Sequence, residues 1–99
     1  MALKIRFSIR AIADLDEIRA YLVPRSPMGA DRIRAQIDLT IDGLAEMPGI
    51  GRRTHLRGIR SAVVKRYPYI VYYRVADGEI LILHIRHGAR AAPAAVDLL

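Results

Sequence analysis

The chain of 99 residues has no cysteine, no tryptophan and a single phenylalanine. Without cysteine there is no disulfide and no thiolate-held metal, which fits a reducing compartment. No apolar run approaches the roughly 20 residues of a membrane span. The opening Met1-Ala2-Leu3-Lys4-Ile5-Arg6 alternates charge with apolar residues and lacks the hydrophobic stretch of an export signal. A soluble cytoplasmic protein with no membrane association is expected. No internal repeat or low-complexity linker is present, and 53% hydrophobic content argues for a folded chain. This length predicts one domain, 1–99, that buries roughly 60–68% of its unfolded surface.

The second half also lacks acids. From Met1 to Pro48, seven basic residues balance seven acids. From Gly49 onward, nine basic residues (Arg52, Arg53, Arg57, Arg60, Lys65, Arg66, Arg74, Arg86, Arg90) meet only Asp77, Glu79 and Asp97. That difference is the whole formal net charge of +6. Such a surface suits an anionic partner, either nucleic acid or an acidic protein segment.

Hydrophobic periodicity gives the elements. Leu3, Ile5 and Phe7 alternate with Lys4 and Arg6, the pattern of a strand with one buried face. Ser8 is placed to cap a helix whose stripe is Ile12, Leu15, Ile18 and Leu22. Asp14 and Glu17 fall in its first half, where the helix dipole favours acids. Ser26-Pro27 is a cap and first-turn pair for a second helix, about Met28 to Met47, with Ala30, Ile33, Ile37, Ile41 and Leu44 on one face. The short linker between them implies an αα-hairpin. These stripes fit packing on a sheet, or a docking groove for a partner.

Pro48-Gly49-Ile50-Gly51 ends the second helix, and Arg52 to Arg57 reads as a basic loop. Three strands follow: Ile59 to Val64, Tyr69 to Val75 and Glu79 to His87. Asp77-Gly78 predicts a type I′ hairpin turn. In the last strand, alternation sends Leu81, Leu83 and Ile85 to one face and Ile80, Ile82, His84 and Arg86 to the other. The Ala-rich end, 89–99, allows a short helix. The expected fold is α+β, ordered β-α-α-β-β-β, with a helical hairpin packed on a small, largely antiparallel four-stranded sheet.

In order along the chain, Ala13-Asp14-Leu15-Asp16-Glu17-Ile18 with Tyr21, Pro48-Gly49-Ile50-Gly51-Arg52, Gly58-Ile59-Arg60-Ser61, Tyr69-Ile70-Val71-Tyr72-Tyr73-Arg74-Val75 and Ile85-Arg86-His87-Gly88-Ala89-Arg90 resemble the motifs of the ParE/RelE toxins. These are the toxic halves of type II toxin–antitoxin modules, which act in plasmid stabilisation. The resemblance implies a cognate acidic antitoxin as partner, and a homodimer or a toxin–antitoxin hetero-oligomer as assembly. It also implies one of two targets: DNA gyrase, poisoned by ParE-like members, or the ribosome, where RelE-like members cut messages. No cofactor is implied.

The cutting reaction needs a base, a proton donor and cations around the phosphate. Some RelE relatives carry a Glu in a Gly-Lys-Pro-Glu-x-Leu loop; here Gly51-Arg52-Arg53-Thr54-His55-Leu56 puts Thr54 in its place. Those relatives end the last strand in His-Tyr, and this chain reads His87-Gly88. The His-Gly-Ala-Arg ending resembles the ParE branch, which is favoured. Three acids cannot neutralise nine bases, so the candidates for a target- or antitoxin-binding surface are Arg60, Arg66, Tyr72, Arg74, Arg86, His87 and Arg90. On the alternative nuclease reading Arg60, Arg74, Arg86 and His87 would be catalytic. A third reading is a plain nucleic-acid binder.

His84 and His87 are three apart on a strand and face opposite sides, so no single metal takes both and no metal site is expected. The tyrosines at 67, 69, 72 and 73 suit base stacking or ordinary sheet packing. Neither a nucleophile elbow nor a phosphate-binding loop is present.

Overall fold

Ser8 ends the first strand and starts the first helix with one side chain. Its Oγ accepts from the Ala11 amide at 3.0 Å and donates to the Leu83 carbonyl at 2.9 Å, so the cap is also bonded to the last strand. The computed structural model describes residues 2–89, Pro93 and Leu98. Strand β1 is Lys4–Phe7, helix α1 is Ile9–Leu22 and helix α2 is Pro27–Glu46. Ser26 caps α2 through the Gly29 amide, with Pro27 in its first turn. Then come β2, Arg52–Arg53; β3, Ile59–Val63; β4, Tyr69–Ala76; and β5, Glu79–His87. Asp77 and Gly78 both have positive φ, 53° and 72°, as a type I′ turn requires.

The sheet has five strands, not four, in the order β1-β5-β4-β3-β2. The extra one is β2, inside the stretch expected to be a loop. Two residues show no alternation, and here both are arginine, so hydrophobic pattern carries no trace of it. It exists because the Thr54 amide and hydroxyl both bond the Ile59 carbonyl and fold the chain back, letting Arg52 pair with Ser61 and Arg53 with Arg60. β1 pairs with β5 in parallel, and the remaining pairings are antiparallel.

The main core lies between the helices and one face of the sheet. Leu15, Ile37, Ile41 and Leu44 meet Val71, Tyr73, Ile80, Ile82 and Ile85 there. Ile12 is not part of it: that residue is half exposed, and Ala11 and Asp14 are buried instead. A smaller apolar cluster on the opposite face joins Ile59, Tyr72, Leu83 and Leu98.

Strict alternation in β5 fails at one point. Tyr73 pairs with Ile82 but Tyr72 pairs with His84, so Leu83 is the extra residue of a bulge. Beyond it the faces swap relative to a simple period of two. Ile85 joins Ile80 and Ile82 on the helix side, while Leu81, Leu83, His84 and Arg86 take the other. The segment expected to carry a C-terminal helix lies outside the described residues, apart from Ala89, Pro93 and Leu98.

Candidate functional site

Residues opposite one another on neighbouring strands share a face of a sheet. The register therefore sorts the charges. Arg6, Leu81, Arg74 and Ile59 form one row across four strands. Arg52, Ser61, Tyr72 and His84 form a second, and Val63, Ile70 and Arg86 a third. Lys4 and Glu79 complete the same face. Lys4, Arg6, Arg52, Arg74 and Arg86 thus surround the apolar cluster on the side away from the helices. Glu79 meets Arg6 at 3.3 Å, an exposed pair. Arg86 donates from Nε to the Tyr72 hydroxyl at 2.9 Å and lies over the Tyr72 ring.

Lys4 and Arg6 were not expected on this surface. They come from the half of the chain whose charges balance, and only the parallel pairing of β1 with β5 brings them here. No local sequence signal announces such a pairing.

Other expected site residues go elsewhere. Arg60 pairs with Tyr73 and so faces the helix side. Its guanidinium donates to the Gly51 carbonyl at 2.8 Å, while the Tyr73 hydroxyl donates to the Pro48 carbonyl at 2.7 Å and accepts from the Gly51 amide at 2.9 Å. Arg60 therefore fastens the 48–51 loop to the sheet. His87 pairs with Tyr69, also on the helix side, and its ring meets the Tyr69 ring edge-on at 5.4 Å. Its Nδ1 accepts from the Ala89 amide. Arg66 occupies the β3–β4 turn with φ 74°. Arg90 lies outside the described residues. The four residues of the nuclease reading are thus divided: Arg74 and Arg86 on one face, Arg60 and His87 on the other. Thr54 occupies a turn, with its hydroxyl bonded to the Leu56 and Ile59 carbonyls.

A groove of about 900 Å³ runs along the end of β5 that β1 leaves uncovered. Phe7 is the last residue of β1, opposite Ile82, and beyond it α1 takes over the strand edge. Asp14, 5% exposed, accepts there from His84 Nδ1 at 2.5 Å and from the Ile85 amide at 2.9 Å. Arg10 donates to its other oxygen at 3.1 Å. Burial works to raise the Asp14 pKa. The bonds from His84, the Ile85 amide and Arg10 together outweigh burial and hold the carboxyl below its ordinary value of 3.8. One wall of the groove is apolar, from Ile18, Leu22, Ile33 and Ile85; Arg10, Glu17, His84, Arg86 and His87 supply polar groups. One sequence signal hints at this pair: Asp14 directly precedes a buried leucine on an otherwise apolar helix face. Among the described residues, no group of three or more His, Asp or Glu could hold a metal ion.

A family model described as the ParE toxin of the type II toxin–antitoxin system parDE matches residues 5–92. The chain belongs to the ParE toxin family. Toxin RelE2 of Caulobacter vibrioides is 43% identical over 81 residues, which is 82% of this chain and 90% of that protein. In structure, the ParE family member is similar to a chain of the chromosomal ParDE system of P. aeruginosa, with TM-score 0.78 and 28% identity over 87% of this chain and 96% of the other. A chain of the RelBE2 toxin–antitoxin complex of Mycobacterium tuberculosis aligns with TM-score 0.62 and 27% identity, covering 88% and 99%. This ParE-family protein is the toxin component of a type II toxin–antitoxin module. No helix among its described residues is long and apolar enough to cross a membrane.

Proposed function

We propose that this toxin acts by binding rather than by cutting, that its target is DNA gyrase, and that an acidic antitoxin segment silences it. The observation that carries this reading is the face bearing Lys4, Arg6, Arg52, Arg74 and Arg86 around an apolar centre. Cations around an apolar patch suit a protein–protein contact with an anionic rim, and they suit DNA held on an enzyme. The arrangement of the nuclease candidates supports the same side of the choice. Arg60 is committed to the Gly51 carbonyl, and Thr54 has a hydroxyl in place of a carboxylate. Arg-to-carboxylate contacts would give the antitoxin its hold on the toxin.

The test is a supercoiling assay with purified gyrase. The toxin is expected to block supercoiling and to accumulate cleaved gyrase–DNA complexes. Arg74→Glu should weaken both effects, and adding antitoxin should reverse them. Unaltered supercoiling with no cleaved complex would sink the proposal. The relatives named RelE favour one other reading, message cleavage on the ribosome. Cut messages in a translating extract, lost with His87→Ala, would establish that reading instead.

A further inference from the structure

Helix α2 presents a face that its own fold does not use. Its buried residues Ile37, Ile41 and Leu44 lie on one side and pack into the main core. At 3.6 residues per turn, the opposite side carries Met28, Arg32, Ala35, Leu39, Gly43 and Glu46, a line about 27 Å long. All six are exposed. Two of them are large and apolar, Met28 at 66% and Leu39 at 64% exposure.

Two further features of α2 have no reason within one copy of the chain. Gly43 lies inside a helix, where glycine is less favourable than alanine. A β-carbon there would meet nothing within 4 Å, and no positive φ calls for glycine. The charges also oppose the helix dipole, which favours acids near the start of a helix and bases near its end. The first turn of α2 has no acid and the last turn has no base. Arg32 and Arg34 stand towards the start, and Asp42 and Glu46 stand at the end, four residues apart and mutually repelling. Arg34 pairs with Asp38 and Asp31 with Arg19. Arg32, Asp42 and Glu46 have no ion pair among the described residues.

We propose that a second copy of this chain packs on this face, α2 against α2, antiparallel about a two-fold axis at Leu39. Leu39 then meets Leu39 of the second copy. Arg32 and Glu46 stand seven residues on either side of Leu39, about 10 Å from the axis, so each Arg32 is level with the other copy's Glu46. Symmetry makes that pair twice. Ala35 is level with the other copy's Gly43, and two small residues let the helices approach to the near end of the usual spacing of about 8–10 Å. The start of each helix lies beside the end of the other, so the dipoles and the charges that clash within one copy are matched between two. The contact is small: a face about 27 Å long and about 10–12 Å wide covers on the order of 300 Å². A standard interface buries about 800 Å² on each partner, so the dimer is weak and depends on concentration. The cationic face lies on the side of the sheet away from the helices, and it stays open in both copies.

The test is sedimentation equilibrium of the full chain between about 10 μM and 1 mM, the range of weak complexes. Wild type is expected to pass from monomer to dimer, less readily at high salt. Arg32→Glu or Glu46→Arg alone turns two attractive pairs repulsive and should weaken dimerisation about tenfold or more. The two variants mixed together, or both substitutions in one chain, should restore it. Gly43→Leu should abolish the dimer yet leave thermal melts of the monomer unchanged or higher, a split that a merely structural role would not give. All three positions are exposed, so the variants keep the core intact. Wild type that stays monomeric at the highest concentration overturns the proposal, as does a dimer indifferent to these substitutions or a charge swap that restores nothing. Amide NMR shifts along α2 that follow added antitoxin but not toxin concentration would give the face to the antitoxin and overturn the second copy. The sedimentation assay contains no gyrase, so its outcome is separate from that of the supercoiling assay.

Discussion

Removing one oxygen atom, by Tyr73→Phe, tests the account of the 48–51 loop. The Tyr73 side chain is fully buried, and its hydroxyl serves two backbone groups at once. Phenylalanine fits the same space, so the core keeps its packing and only the polar contacts change. The bond to the Pro48 carbonyl, worth about 1 kcal/mol, is lost. The Gly51 amide is left buried without that acceptor, which costs about 1–3 kcal/mol when no water can reach it. A loss of about 2–4 kcal/mol follows. For a domain of this size that lowers the melting temperature by at least roughly 8 °C, at about 4–8 °C per kcal/mol. The assay is urea unfolding with the slope held constant, because an unchanged slope shows that only stability moved. Tyr72→Phe is the control. Its hydroxyl accepts from Arg86 on a partly exposed surface, so removal should cost about 1 kcal/mol or less. A Tyr73→Phe loss no larger than that of Tyr72→Phe would refute the claim that this hydroxyl holds the loop. A double variant with Arg60→Met should show coupling, since both side chains grip Gly51.

Gly51→Ala should destabilise by at least about 1–3 kcal/mol in the same unfolding assay, because the new methyl would collide with the hydroxyl and ring of the immobile Tyr73. Asp14→Asn should cost about 2–3 kcal/mol at neutral pH through weaker bonds to His84, Ile85 and Arg10. Asp14 has its pKa lowered on folding, so the stability it confers is complete above the ordinary 3.8 and is lost as pH falls through the native value. Urea midpoints of wild type and Asp14→Asn should therefore converge only on the acid side of 3.8. Ser8→Ala removes a helix cap and a bond to the Leu83 carbonyl, and thermal melts should report a loss of about 1–2 kcal/mol.

Much of the fold was legible because its signals are local. Ser8 and Ser26 each place a hydroxyl before an apolar-periodic run, and both act as caps. Asp77-Gly78 names its own turn. What escaped depends on pairings between segments, which no one segment announces. β2 is a strand only because Thr54 folds it against β3. The bulge at Leu83 depends on β4, so alternation placed Ile85 on the wrong face. Asp14 looked like an acid favoured by a helix dipole, whereas it fills the edge that a four-residue β1 leaves bare. The basic surface was legible in its second-half members and blind to Lys4 and Arg6. Arg60 shows the opposite error: its charge counted toward a surface, but its guanidinium is spent on the Gly51 carbonyl.

The parallel pairing of β1 with β5 also sets a schedule for synthesis. Lys4 finds its neighbour only when Glu79 exists, so β1 leaves the ribosome long before the strand it must join. At roughly 5–20 residues per second the wait is on the order of several seconds. During that time the helices have an apolar face and no sheet to cover it. The pairing of β1 with β5 joins distant parts of the sequence, and such long-range pairing slows assembly. The five-cation face cannot exist on a partial chain, because Lys4 and Arg6 hang from the first strand, Arg52 from β2, and Arg74 and Arg86 from the two strands made last. That face is complete only once the final strand is in place.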